Sequence, residues 1–143
     1  MQWLYKLFNL SWKERALLLE TLFLIAGFKL ALWALPFRFV QQFAARPAQS
    51  HARSSTEGSL VFKQVLQAVE MVTWHIPGRA RCLVRALTTQ VLLSRRGYKT
   101  DLRIGVSKDA QGNVEAHAWL EYNGQLVIGG VSGFHRYTPL STL

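Results

Sequence analysis

The chain has only one cysteine, Cys82, among its 143 residues. A single cysteine excludes an intramolecular disulfide framework and favours a reducing compartment. Ligand spacing for a metal is also missing, because the four histidines are scattered along the sequence and no second cysteine accompanies them. We therefore expect neither a disulfide scaffold nor a metal site.

Acidic residues are scarce. The chain contains eight Asp and Glu but seventeen Lys and Arg, which gives a formal net charge of +9 at pH 7. This balance attracts nucleic acid, anionic lipid and acidic peptides alike. Zinc-finger, RNP and basic heptad patterns are absent from the sequence, so nucleic acid binding is supported by charge alone. We expect no nucleic acid partner.

A signal-peptide pattern is missing too, because no small-residue cleavage site follows a compact apolar stretch. The longest apolar run, residues 16–35, is interrupted by Glu20 and Lys29. Each of these charges would cost about 2.5–3.5 kcal/mol near the centre of a bilayer helix. We interpret the run as a buried or partner-facing helix of a cytoplasmic protein. Contact with a membrane surface is the less favoured alternative.

The patterns that are present divide the chain into three parts. Ser11 and Glu14 form a capping box ahead of a long helix predicted from about Trp12 to Ala34, and residues 37–45 predict a short helix. The next segment is polar and contains Pro, Ser and Gly, which predicts a linker or mobile loop. The predicted organisation is a helical region, a linker and a core domain, at residues 1–45, 46–58 and 59–143.

Within the core domain the hydrophobic period changes from helical to alternating. Apolar residues at helical spacing predict one helix over residues 60–75 and another from about Cys82 to Arg96, with Gly97 at its C-terminal cap. Alternating apolar residues then predict three strands, the last two joined by a tight Asn-Gly turn: 99–106, 114–122 and 125–128. The predicted fold class is α+β, with the helices first and a small antiparallel sheet after them.

Cys82 and His117 are the candidate reactive residues. Cys82 falls in the first turn of its predicted helix, where unsatisfied N–H groups and the neighbouring Arg81 and Arg85 favour the thiolate that attacks a carbonyl. His117 lies on a later strand between two alanines. This order is typical of papain-like peptidases and transglutaminases. On its own it is weak, because a single cysteine is commonly a small buried hydrophobe and a strand histidine is commonly structural.

The segments around the two residues are more specific. They read CLVRAL from Cys82, LLSRRGY from Leu92, LRIGV from Leu102 and HAWLE from His117, followed by Asn123-Gly124. Together they resemble the lasso-peptide leader-peptidase family of the transglutaminase-like superfamily, over about residues 60–140. The resemblance implies a transglutaminase-like core in which the helix bearing Cys82 packs on a small antiparallel sheet bearing His117.

The resemblance also implies a function. The reaction would be hydrolysis of one peptide bond between the leader and the core of a ribosomally made precursor in the bacterial cytoplasm, with Cys82 as nucleophile, His117 as base and no cofactor. The implied partners are the precursor leader peptide, a separate leader-recognition protein and an asparagine-synthetase-like macrolactam cyclase. We expect the leader-recognition protein to dock on the N-terminal helices and the basic surface.

One departure from the family concerns the acid that orients the histidine. The family usually places an Asp on the following strand, and here that position falls at Gly129 by distance along the chain, or at Gly130 if Asn123-Gly124 is a tight turn. Asp101 on the neighbouring strand, a backbone carbonyl or a water could take the role instead. A Cys–His dyad therefore stays plausible without the acid.

Glu121 has one interpretation, and Trp119 and His75 have two each. Glu121 lies about 13 Å along its strand from His117, too far to orient it, so we expect it to pair with an Arg. Trp119 either walls the active site or belongs to the core. His75 either donates to the oxyanion, together with the Cys82 backbone N–H, or simply ends its helix.

Other functions stay open at the level of sequence. An acyltransferase of the same superfamily would hand the thioester to an amine. A non-catalytic scaffold would keep the fold without the acid. A basic module that binds a membrane surface or nucleic acid would depend on the net charge and the first helix.

Overall fold

In the computed structural model, the described residues are 8–44, 55–74, 81–129 and 138–139. Within these ranges the helices are α1 (Trp12–Ala34), α2 (Phe37–Ala44), α3 (Ser55–Thr73) and α4 (Arg81–Arg95). The strands are β1 (Asp101–Lys108), β2 (Val114–Tyr122), β3 (Gln125–Ile128) and β4 (Thr138–Pro139). They form one antiparallel sheet in the order β3-β2-β1-β4. The predicted α+β class is confirmed.

The predicted capping box starts α1. The Ser11 hydroxyl oxygen accepts from the Glu14 N–H at 3.4 Å, and the Ser11 N–H donates to Glu14 Oε2 at 2.8 Å. These bonds satisfy two backbone donors that otherwise have no acceptor at a helix start. The helix ends where Leu35 becomes extended before Pro36, because proline disfavours helical geometry in the residue that precedes it.

α1 and α2 pack directly on α4, the helix that bears Cys82. Their buried side chains form one apolar cluster with α4, consisting of Ile25, Phe28, Val40, Val84, Leu87 and Val91. A second cluster joins α3 and α4 to the sheet and consists of Val65, Val69, Leu92, Leu93, Leu120 and Ile128. Within the described residues, α4 therefore packs on both the N-terminal helices and the sheet, and most of its side chains from Val84 to Leu93 are buried.

The helix α3 starts earlier than the sequence predicts. It begins at Ser55, inside the segment 46–58 that we predicted as a linker, and residues 45–54 are outside the described ranges. Gly58 lies in its first turns. A Cβ at this position would lie only 2.9 Å from the Tyr98 hydroxyl oxygen, so glycine permits the close approach of Tyr98. Tyr98 in turn packs edge-on against Phe62 of α3, with ring centroids 4.9 Å apart. This contact fixes the start of α3 against the end of α4.

The sheet has a regular half and an irregular half. β1 and β2 pair without interruption, with Gly105 opposite His117. β2 and β3 are joined by Asn123-Gly124, where both residues have positive φ (51° and 77°) as a two-residue type I′ turn requires. Beyond this turn the register shifts: Glu121 pairs with Leu126, yet Leu120 pairs with Ile128. The extra residue, Val127, is a β-bulge, and beyond it Gly129 lies against Ala118 and Trp119 of β2.

Candidate active site

Cys82 lies in the first turn of α4 and is half-buried. The first N–H groups of a helix have no intrahelical acceptor, and the aligned peptide dipoles give this end a partial positive charge. Both features favour an anion beside them. The predicted location of Cys82 at a helix start is therefore confirmed.

His117 lies on β2 and faces the same space as Cys82. An open cleft of about 820 Å³ runs between the start of α4 and the first two strands. Its walls contain Cys82, Leu83, Ile104, Asp109, Asn113, Val114, Glu115, Ala116, His117 and Ala118. The fold thus brings together two residues that are 35 positions apart in the sequence.

The imidazole of His117 is held by the backbone. Its Nε2 is hydrogen-bonded to the carbonyl oxygen of Gly129, the residue that follows β3. Gly129 has a φ of +97°, and a Cβ there would lie 2.7 Å from the Ala118 carbonyl oxygen and 2.8 Å from Trp119 Cα. Only glycine fits this left-handed conformation and this close approach to β2.

Comparison with known families is consistent with this geometry. The sequence profile of the Transglutaminase-like superfamily matches residues 22–142. The chain belongs to this superfamily. Neither the curated proteins nor the solved structures gave a significant match. The matched region begins within α1 and includes the cleft, and superfamily membership fits the chemistry of a cysteine peptidase.

The hypothesis that Asp101 replaces the orienting acid expected from the family resemblance is wrong. Asp101 is exposed and pairs with Glu121 in the ladder, whereas Gly105 is the residue opposite His117. Four residues of extended strand, about 13 Å, separate Asp101 from that level. The other two positions raised by the sequence, Gly130 and His75, are outside the described residues.

The two arginines beside Cys82 have partners of their own. The Arg85 guanidinium forms an ion pair with Glu70 of α3. Burial lowers the pKa of Arg85 from its ordinary value, although the group stays cationic. The Arg81 guanidinium carbon lies 5.9 Å from the ring centroid of Trp74, in cation–π geometry. The expectation that both charges support a thiolate is thus weakened for Arg85, because Glu70 offsets its charge.

The interpretation of Trp119 as a core residue is favoured. It is 2% exposed and is not among the residues that line the cleft. Its Nε1–H donates to Glu121 Oε1 at 2.9 Å, while Arg103 Nε lies 3.3 Å from Glu121 Oε2. The predicted pairing of Glu121 with an arginine is therefore confirmed, and the same carboxylate also satisfies the buried indole.

The β1–β2 loop also forms a wall of the cleft, which was not predicted from the sequence. Asp109 Oδ1 accepts from the backbone N–H groups of Gln111 (2.9 Å) and Asn113 (2.8 Å), and Oδ2 accepts from Asn113 Nδ2 (3.0 Å). The bonds from Asn113 are the main cause of a lowered pKa at Asp109. An aspartate that opens a turn is the signal that was available, because its side chain commonly accepts from the backbone two residues on. These bonds fix the conformation of the β1–β2 loop at the edge of the cleft.

Proposed function

We propose that this transglutaminase-like protein is a cysteine peptidase that removes the leader from a ribosomally made lasso-peptide precursor before macrolactam closure. The observation that supports it most directly is the shared cleft of Cys82 and His117. The resemblance around residues 60–140 supports the choice of substrate. The cleft is open, which suits an extended peptide segment better than an enclosed small molecule.

In the proposed mechanism, His117 accepts the Cys82 proton, and the thiolate attacks the carbonyl carbon of the scissile bond. The backbone N–H of Cys82 donates to the oxyanion at the positive end of α4. Collapse breaks the C–N bond, the leaving amine takes its proton from the His117 imidazolium, and the leader stays as a thioester. His117 then removes a proton from water, which attacks the thioester and releases the leader carboxylate and the Cys82 thiol.

The test is leader cleavage followed by mass spectrometry. The full chain is incubated with precursor and leader-recognition protein, and Cys82→Ala and His117→Ala are compared with Gln125→Ala, an exposed β3 residue outside the cleft lining. Both active-site variants should lose cleavage while their circular dichroism stays that of the wild type, and Gln125→Ala should cleave normally. Wild-type cleavage by Cys82→Ala would refute the proposal.

The product mass separates hydrolysis from the alternatives. Hydrolysis adds one water across the cleaved bond, whereas an acyltransferase would leave the leader joined to an amine supplied in the reaction. A scaffold would give no product, and its Cys82 would be alkylated slowly at neutral pH because an inert buried thiol has little thiolate character.

We also propose that the leader-recognition protein docks on the exposed face of α1. This face carries exposed apolar side chains from one end of the helix to the other, namely Trp12, Leu19, Leu22, Phe23, Leu30 and Trp33. Trp33 is 88% exposed and Phe23 75%, so the helix presents an apolar surface on the side opposite its buried face. A groove of about 460 Å³ between α1 and α2 continues it. Surfaces of this kind commonly bind a partner.

Charge around this face points to an acidic rim on the partner. Lys13, Arg15, Lys29 and Arg38 are exposed beside it. Glu20, in contrast, is paired with both Arg95 and Arg96, at 2.7 and 3.3 Å. An apolar centre with a positive border fits a protein partner whose rim is acidic, and association should slow as salt rises.

The docking proposal is tested with Phe23→Gln plus Trp33→Gln, measured for partner binding and for cleavage. Lys63→Gln and Gln67→Ala, exposed positions on α3, serve as the matched control. The α1 variant should lose partner binding and partner-dependent cleavage, and the control should keep both. By length and composition alone α1 could also cross a membrane, with 22% of its most apolar window buried. Unchanged partner binding together with lost binding to anionic vesicles would assign the face to lipid instead.

A further inference from the structure

We propose that the backbone carbonyl of Gly129 takes the place of the side-chain acid that orients the imidazole, and that it thereby fixes the proton of neutral His117 on Nε2. Gly129 is a positioning residue in this scheme. The inference deepens the proposed peptidase function and uses the same cleft, although its central measurement does not depend on activity.

Carboxylates in the described part of the chain do not offer a better orienting group. Asp101 and Glu121 lie about 13 Å away along their strands. Both carboxylate oxygens of Asp109 already accept bonds within their own loop. Glu115 lies two residues from His117 on the same strand and is exposed. The Nε2 position itself is occupied by the Gly129 carbonyl oxygen.

The fold provides specifically for this carbonyl. The bulge at Val127 moves the chain one residue out of the register set by the Asn123-Gly124 turn. Immediately after β3, Gly129 takes a φ of +97°, which turns its peptide toward β2. The 2.7 and 2.8 Å distances from a Cβ to backbone atoms of β2 leave no room for a side chain. A side-chain acid at 129 and this carbonyl contact are therefore mutually exclusive.

The identity of the acceptor dictates the tautomer. A carbonyl oxygen can only accept, so Nε2 of neutral His117 must carry the proton and Nδ1 must carry the lone pair. A carboxylate would select the same tautomer, but it would also add a full negative charge that stabilises the imidazolium. The Gly129 carbonyl thus supplies orientation without that charge.

The first test is the tautomer itself, measured by ¹⁵N nuclear magnetic resonance on full-length Cys82→Ala protein with ¹⁵N-labelled histidine. His117 signals are assigned by their loss in a His117→Gln variant. At a pH where the imidazole is neutral, Nε2 should give the protonated-nitrogen shift and Nδ1 the unprotonated one. Protonated Nδ1, or an even mixture, would overturn the inference. The tautomer can be measured whether or not the protein cleaves a leader peptide, so this test is independent of the proposed function.

The second test compares two glycine substitutions of the same kind. Gly124→Ala introduces a methyl at positive φ with no atom within 4 Å, whereas Gly129→Ala introduces one against β2. Gly129→Ala should give a mixture of His117 tautomers. It should also lower kcat about tenfold or more with little change in KM, because loss of the group that orients a histidine in an active site has effects of this size or larger. Gly124→Ala should share the conformational strain but keep both the tautomer and kcat. Equal kcat loss in the two variants, with the tautomer intact in both, would refute a positioning role for Gly129.

Discussion

Glu70 of α3 and Arg85 of α4 form an ion pair one helical turn from Cys82. Arg85 is the more buried partner, with 20% of its side chain exposed. The pair links two helices whose association shapes the start of α4. It also means that one of the two cations nearest Cys82 in sequence acts as part of a neutral pair.

We predict that Glu70→Gln makes Cys82 more reactive. Removing the carboxylate leaves the Arg85 charge uncompensated near the thiol, which favours the thiolate. Alkylation by iodoacetamide at neutral pH should be a few-fold faster, while the free energy of unfolding falls by no more than about 1 kcal/mol. Glu20→Gln is the matched control, because it breaks ion pairs at the other end of α4. Equal labelling rates in both variants would show that Arg85 does not act on Cys82.

The Cys82 and His117 substitutions should not add up. If the two residues act as one unit, the double variant Cys82→Ala/His117→Ala should cleave no more slowly than either single variant. The measurement is the single-turnover rate with saturating precursor. A double variant that is slower than both by the product of the two losses would mean that the residues contribute independently.

An aspartate introduced at position 129 should not work as the orienting acid that the family resemblance leads us to expect. Gly129→Asp combines strained positive φ with a Cβ inside 3 Å of β2 backbone atoms, so His117 loses its present acceptor. We expect lower kcat and a lower melting temperature than wild type, and a larger loss of melting temperature than Gly124→Asp causes in open space. Faster cleavage by Gly129→Asp would show that the strand shifts to admit the carboxylate.

The β1–β2 loop, which Asp109 holds in place, should become less ordered at low pH. Hydrogen bonds hold the pKa of Asp109 below its ordinary value of 3.8. The ionised carboxylate therefore stabilises the loop fully above pH 3.8, and this stabilisation is lost as the pH falls through the lowered pKa. The Gln111 and Asn113 amide shifts should titrate with this midpoint. Asn113→Ala should raise it toward 3.8, because the largest stabilising bonds come from Asn113. A midpoint at or above 3.8 in the wild type would contradict the bonding scheme.

Elements with strong local signals were predictable from the sequence. The capping box predicted the observed start of α1 at Trp12, and Pro36 predicted its end at Ala34. Alternation together with the Asn-Gly turn predicted the observed bounds of β2 and β3. The start of α4 was predicted within one residue, which placed Cys82 in the first helical turn. In these cases a few neighbouring residues determine the conformation.

Features that depend on distant parts of the chain were not predictable. The bulge at Val127 follows from how β3 packs on β2, and no residue type marks it. The Gly129 carbonyl could not be picked out as the partner of His117, because every residue has a backbone carbonyl and none is marked by its residue type. The pairing of Glu70 with Arg85 likewise requires the packing of α3 on α4.

Because the chain contains a single cysteine, oxidation of Cys82 would stop the proposed reaction. On the proposed mechanism, the nucleophilic thiolate is also a group that oxidants attack, and no second thiol in the chain can condense with a Cys82 sulfenic acid to form a protective disulfide. Recovery then depends on a small thiol such as glutathione from outside the protein. Peptide maturation would therefore pause and resume with the reducing capacity of the cell.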